Sequence, residues 1–110
     1  MDSLELLRTA ASGMDAQRAA LDVFARNVAA SQAAGPKGSY ERFVPRFALV
    51  DDGDSAHIAY AGAVGRRADD GGVLTEMVSV LNASRAYEAN ASIFEIGKHL
   101  AERTIEMGRV

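Results

Sequence analysis

No cysteine occurs among the 110 residues, which excludes a disulfide framework, a thiolate metal site and a cysteine nucleophile. Tryptophan is missing too, and three tyrosines and four phenylalanines are the whole aromatic content. The 48% hydrophobic fraction is therefore mostly alanine and aliphatic side chains, which pack helices closely but build a modest core. Both prolines, Pro36 and Pro45, lie in the first half, so no proline interrupts a helix in the last third. Neither sign of charge dominates: residues 1–34 carry three basic and four acidic side chains, 35–72 five and six, and 73–110 four and five. That even spread leaves no basic footprint for nucleic acid or an anionic membrane. No window approaches the ~18 apolar residues of a membrane span. The start, Met1-Asp2-Ser3-Leu4-Glu5, lacks the positive head and apolar run of a cleavable signal peptide, so export would need a route that reads no cleaved signal.

What is present is periodicity. From Val73 to Met107 apolar or small residues fall at Val73, Met77, Val80, Ser84, Tyr87, Ala91, Phe94, Ala101, Ile105 and Gly108, a heptad-like seam. A second stripe, Ala86, Ala89, Ile93, Ile96, Leu100 and Met107, makes the later half apolar over more than one face. One partner helix cannot cover both. Pairs such as Glu95 with Lys98 or His99, Lys98 with Glu102, and Glu106 with Arg109 contribute at most about 0.2–0.5 kcal/mol each. Burial must therefore make this helix, and at roughly 50 Å long it exceeds what so small a domain covers alone.

A second seam, Leu4, Leu7, Ala11, Met14, Arg18, Leu21, Ala25 and Val28, predicts an N-terminal helix capped by Ser3. Gly13 costs about 1 kcal/mol there relative to alanine, which points to a bend, a close helix contact or a tolerated surface glycine. The helix should stop between Ser31 and Gly35, where Gly35-Pro36-Lys37-Gly38-Ser39 supplies a C-cap and a break. Tyr40 to Val44 and Arg46 to Val50 read as two short extended pieces or one edge strand broken at Pro45. Asp51-Asp52-Gly53-Asp54 is then a turn and His57 to Val64 a third piece, followed by a polar loop from Arg66 to Gly72. The fold class is mainly α: two long terminal helices as an antiparallel coiled-coil-like hairpin, with a small β insertion projecting from one end. The segments are 1–34, 35–72 and 73–110.

Catalytic chemistry is hard to place on this pattern. The aspartate turn lacks the alternating oxygen ligands and the later glutamate of a calcium loop. His57 and His99 stand apart, without a carboxylate at metal spacing, and no serine sits in a glycine elbow. No catalytic residue, metal site or cofactor is expected. Asn27 and Asn90, each in an alanine-rich run, are either register-setting amides between packed helices or solvated surface groups.

Two strings then resemble a known family. Ala11-Ser12-Gly13-Met14-Asp15-Ala16-Gln17, with Leu21-Asp22-Val23-Phe24-Ala25-Arg26-Asn27-Val28-Ala29, resembles the N-terminal motif of bacterial flagellar rod and hook proteins. Glu76-Met77-Val78, Ser84-Arg85-Ala86-Tyr87-Glu88-Ala89-Asn90, Phe94 to Lys98 and Ile105 to Arg109 resemble the C-terminal motif, most closely that of the proximal-rod members. Arg26 and Ala30 stand where the family usually has asparagine, and the middle is shorter than usual. The resemblance implies a structural, non-enzymatic subunit of the flagellar basal body, whose terminal helices polymerise into the torque-transmitting rod. It also implies export by the flagellar type III apparatus, partners that are copies of itself and other rod proteins, and termini that order on assembly. On that basis Leu7, Met14, Leu21 and Val28 face Met77, Leu81, Tyr87 and Phe94, or their equivalents in adjacent subunits, with Ile105 in the same axial core and Asn27 and Asn90 setting register. The alternative is a self-contained helical-hairpin adaptor that dimerises and binds a partner helix.

Overall fold

The structure, a computed structural model, describes residues 2–53, 56–69 and 72–108. Asp54 of the expected turn, Asp70 and Gly71 of the expected loop, and the Arg109 partner of Glu106 lie outside the described residues. In chain order it has helix α1 (Ser3–Ala34), strands β1 (Tyr40–Asp51) and β2 (Ala56–Ala68), and helix α2 (Gly72–Met107). The mainly helical expectation holds, with two long helices and a two-stranded antiparallel hairpin between them.

The helices run antiparallel, because early α1 meets late α2. Leu7 lies against Gly97, Gly13 against Asn90, and the Arg18 guanidinium donates to the Tyr87 hydroxyl at 3.3 Å. Small residues permit the approach. A Cβ built on Gly13 would stand 2.8 Å from Asn90 Nδ2, so of the three sequence readings of Gly13 the close helix contact is the one observed.

The N-cap differs from expectation. Asp2, not Ser3, takes the cap, its carboxylate accepting from the Glu5 N–H at 2.7 Å. An aspartate one residue earlier also places its charge at the positive end of the helix dipole. At the other end Gly35 adopts φ 79° and returns its N–H to Ser31 O, as the Gly35-Pro36 stop predicts.

The middle is more regular than the sequence suggests. Three short pieces become two strands of 12 and 13 residues, and Arg66, Arg67 and Ala68 belong to β2 instead of a loop. Pro45 sits inside β1, where the ladder shifts register between Pro45 and Phe47. A bulge absorbs the missing N–H there without ending the strand.

Nor does the insertion project from one end. Its base pairs Tyr40 with Ala68 and sits at Asn27, whose side chain bonds Phe43. Its tip residues Asp52, Ala56 and His57 share a gap with Arg8, Thr9, Ser12 and Asp15 near the start of α1. The hairpin is thus folded back along α1, on a flank that α2 leaves free, and the molecule is a thin slab of 68 × 26 × 14 Å.

That arrangement explains the burial. α1 has α2 on one flank and the hairpin on another, and of its buried residues Ala10, Ala16, Ala20, Val23, Asn27 and Ser31 the last five follow helical steps of three and four between the two. The seam of Leu7, Met14, Leu21 and Val28 is half-buried beside them. α2 packs its backbone closely on α1 alone, and only Glu76, Ala83 and Gly97 of it are buried.

The Gly13 contact yields a stability prediction. Gly13→Ala alone should gain helix propensity yet lower stability, because Asn90 must leave its place against α1. Gly13→Ala with Asn90→Ala should recover it, with a coupling of about 1 kcal/mol or more in urea melts of the double-mutant cycle.

Candidate functional site

Two buried polar side chains join the hairpin base to the helices. Asn27, 1% exposed, uses both ends of its amide: Nδ2 donates to Phe43 O at 2.7 Å and Oδ1 accepts the Phe43 N–H at 2.9 Å. The amide thereby acts as the next strand for one residue of β1, satisfying an edge that would otherwise stay unpaired.

Glu76 does the same work from α2. Its side chain is fully buried, and its Oε1 accepts the Tyr40 hydroxyl at 2.8 Å. Arg42 Nε lies 2.8 Å from the same oxygen as a charge contact, its N–H turned aside from a hydrogen bond. Oε2 has no hydrogen-bond partner among the described residues. A buried carboxylate persists only with compensating charge and donors, and Arg42 and Tyr40 supply them. Burial, with the bond to Glu76 second, pushes the Tyr40 phenol above its usual range.

The sequence-predicted residues divide into two groups. Leu7, Met14, Leu21, Val28, Tyr87 and Phe94 are half-buried along the helix pair. Met77, Leu81 and Ile105 are more than half exposed, at 53%, 51% and 59%. Asn27 bonds β1 and no helix, whereas Asn90 donates to Ala86 O at 3.1 Å and packs on Gly13. Glu76 and its two partners escaped the sequence reading as a cluster. Tyr40 and Arg42 stand two apart on one strand face, but nothing local says that a glutamate 36 residues away from Tyr40 is buried against them.

What remains uncovered is apolar. Leu74, Met77, Val78 and Leu81 are exposed on the first half of α2, and Ile93, Ile96, Leu100, Ile105 and Met107 on the second. With Ala25 and Val28 of α1, the first set lines an open groove of about 650 Å³. Among the described residues no three His, Asp or Glu side chains converge as metal ligands, and no helix is long and apolar enough to cross a membrane. Among the described residues, what the arrangement offers is contact surface.

Two measurements test the anchor. Asn27→Ala leaves the part-buried N–H and C=O of Phe43 without these bonds and should cost about 1–3 kcal/mol in urea unfolding, with Phe43 and its neighbours losing amide protection first. The second uses pH. Because the folded Tyr40 pKa is raised, its contribution is intact below the unfolded value of about 10 and is lost as pH rises through the folded value. The stability gap between wild type and Tyr40→Phe should hold steady through neutral pH and narrow in the alkaline range.

No protein-family model matches the chain. It is 30% identical over 130 residues to the flagellar basal-body rod protein FlgC of Aquifex aeolicus strain VF5, covering 96% of this chain and 97% of that protein. The match spans both helices and the hairpin between them, so the two end motifs and the middle align with one relative. The chain therefore belongs to the flagellar basal-body rod protein family, as a structural component of the basal body and not an enzyme.

Proposed function

We propose that this protein polymerises through its terminal helices into the proximal rod, and that the resulting tube transmits motor torque. The observation that carries the reading is the uncovered apolar surface of α2, where nine large hydrophobic residues from Leu74 to Met107 are exposed. Such a surface is costly in water unless something covers it. Two patches at opposite ends of one helix favour head-to-tail contacts, and a heterologous contact that does not close builds a filament.

In this reading Met77, Leu81 and Ile105 meet neighbouring subunits, whereas Leu7, Met14, Leu21, Val28, Tyr87 and Phe94 line the pair within one chain. Asn90 sets the register of that pair against Gly13, and Asn27 sets the register of the hairpin. The neighbours are copies of the same chain and other rod proteins, met in a rod that crosses the periplasm. Delivery there is by the flagellar type III apparatus without a cleaved signal, a step that rests on family membership.

The test is complementation of a strain lacking this protein with a Leu81→Glu, Ile96→Glu variant. Both side chains are about half exposed or more, so the monomer's stability should change by less than about 0.5 kcal/mol per site. Swimming should be lost and basal bodies should lack a complete rod. Swimming at the wild-type level would overturn the proposal and return the chain to a self-contained adaptor.

A further inference from the structure

We propose that the outer edge of β1 beyond the bulge, residues 47–51, pairs with the outer edge of the base of β2, residues 63–67, in a second copy of this chain. Neighbouring hairpins then join into one antiparallel sheet. The proposal rests on the rod reading above and names a second contact between its subunits.

Hydrogen-bond phase shows which groups are available. Along an antiparallel strand, alternate residues turn both N–H and C=O toward the paired strand or away from it. Asn27 takes both groups of Phe43, so Phe43 and its pair Gly65 turn theirs outward, on opposite edges of the ribbon. The same phase holds on β2 for Ala63 and Arg67, which pair with Pro45 and Glu41. Past the shift in register Phe47 pairs with Tyr60. The extra residue lies on β2, so β1 keeps its alternation, and Phe47, Leu49 and Asp51 turn outward as well. Among the described residues nothing bonds the outward backbone groups of these six. Every residue of 46–51 and of 63–67 is exposed, and an open edge of this kind is where a further strand adds.

The two edges suit each other better than either suits itself. Setting Leu49 opposite Gly65 of the second copy places Phe47 opposite Arg67 and Asp51 opposite Ala63, pairs that exchange about two hydrogen bonds each. Between them Val50 meets Val64 and Ala48 meets Arg66. Leu49, 69% exposed, comes to lie beside a residue with no side chain, over which the end of exposed Glu41 rests in the single chain. No like charges stand directly opposite. Pairing β2 with β2 about Gly65 instead sets the two Arg66 side chains diagonally on one face, where they repel. Pairing β1 with β1 leaves both β2 edges open and closes the pair on a two-fold axis.

Direction gives an independent argument. The hairpin base is level with Glu76, beside the groove lined by Leu74 and Leu81. Its tip is level with Arg8 to Asp15, where α1 meets Asn90 and Gly97 of α2. The pairing moves the strand opposite Gly65 from Phe43 to Leu49, a displacement of about 20 Å toward the tip. That displacement carries the second copy's groove toward the exposed Ile93 and Ile96 of the first. Edge and helix contacts thus run head to tail in one direction, and neither closes.

The test uses the absence of cysteine. Ala48 and Arg66 are exposed and within one chain pair with Ala59 and Arg42, which leaves them about 20 Å apart, beyond the ~7 Å a disulfide spans. An Ala48→Cys, Arg66→Cys variant, expressed in place of the wild-type chain and oxidised in flagellated cells, should give a ladder of disulfide-linked dimers, trimers and longer chains. Each single variant should give none. No ladder overturns the proposal, and so do dimers from Ala48→Cys alone or from Arg66→Cys alone, which mean that like edges meet. Leu49→Pro removes an outward N–H and no bond of the hairpin. It should leave the helical signal of the purified chain unchanged and abolish the ladder when added to the cysteine pair; a ladder that persists overturns edge pairing. A missing ladder beside lost swimming in the Leu81, Ile96 test strikes the edge pairing alone, and a ladder beside normal swimming in that test strikes the rod reading alone.

Discussion

The structure depends on how an isolated two-stranded ribbon is kept in place. A lone hairpin is at best marginal in water, and this one carries an exposed edge and few buried side chains. It is secured by exchanging solvent for two buried polar groups at its base: the Asn27 amide paired to Phe43 and the Glu76 carboxylate facing Tyr40 and Arg42. Each anchor comes from a different helix. Because β1 is tied to α1 and α2 at neighbouring residues, the base of the ribbon fixes where the helices stand relative to each other at that end. Buried polar groups are stabilising when paired and expensive when not, so the geometry at the root tolerates little displacement.

The rest of the helix pair is held by close approach. Gly13 against Asn90 and Gly97 against Leu7, with Ala10, Ala20 and Ala83 buried nearby, bring the backbones near at little side-chain volume. The result is a slab only 14 Å deep along its shortest axis. A shape so thin has no interior in which to hide the second apolar stripe of α2. For a basal-body rod protein that surplus is useful, since the surface left uncovered in one chain is available to its assembly.

Much of this was legible beforehand, and for identifiable reasons. Helical periodicity placed both helices, since an apolar face repeats locally whatever the partner is. Gly35-Pro36 placed the end of α1, and the length of α2 against the size of the chain implied surface that one molecule could not cover. The motif strings placed the family. Of the seam Leu7, Met14, Leu21, Val28, Leu7 lies against Gly97 and Val28 lines the groove with Leu74, but the deepest positions of α1 lay off it, at Ala10, Ala20 and Asn27. A second layer had displaced them. By sequence Pro45 reads as a break, because its missing N–H weakens a ladder; the bulge that accommodates it involves Gly62 on the opposite strand, out of reach of any local window.

The sequence by itself determined two long amphipathic helices and a β segment between them, because each follows from residue type and short-range spacing. Tertiary structure alone decided that the hairpin lies back along α1, that Asn27 serves a strand and not a helix, and that Glu76 is a buried anchor and not a solvated charge. The physical reason is the same in each case. A polar side chain's role is set by whichever group faces it across the fold, and in this chain those groups are 16 and 36 residues away.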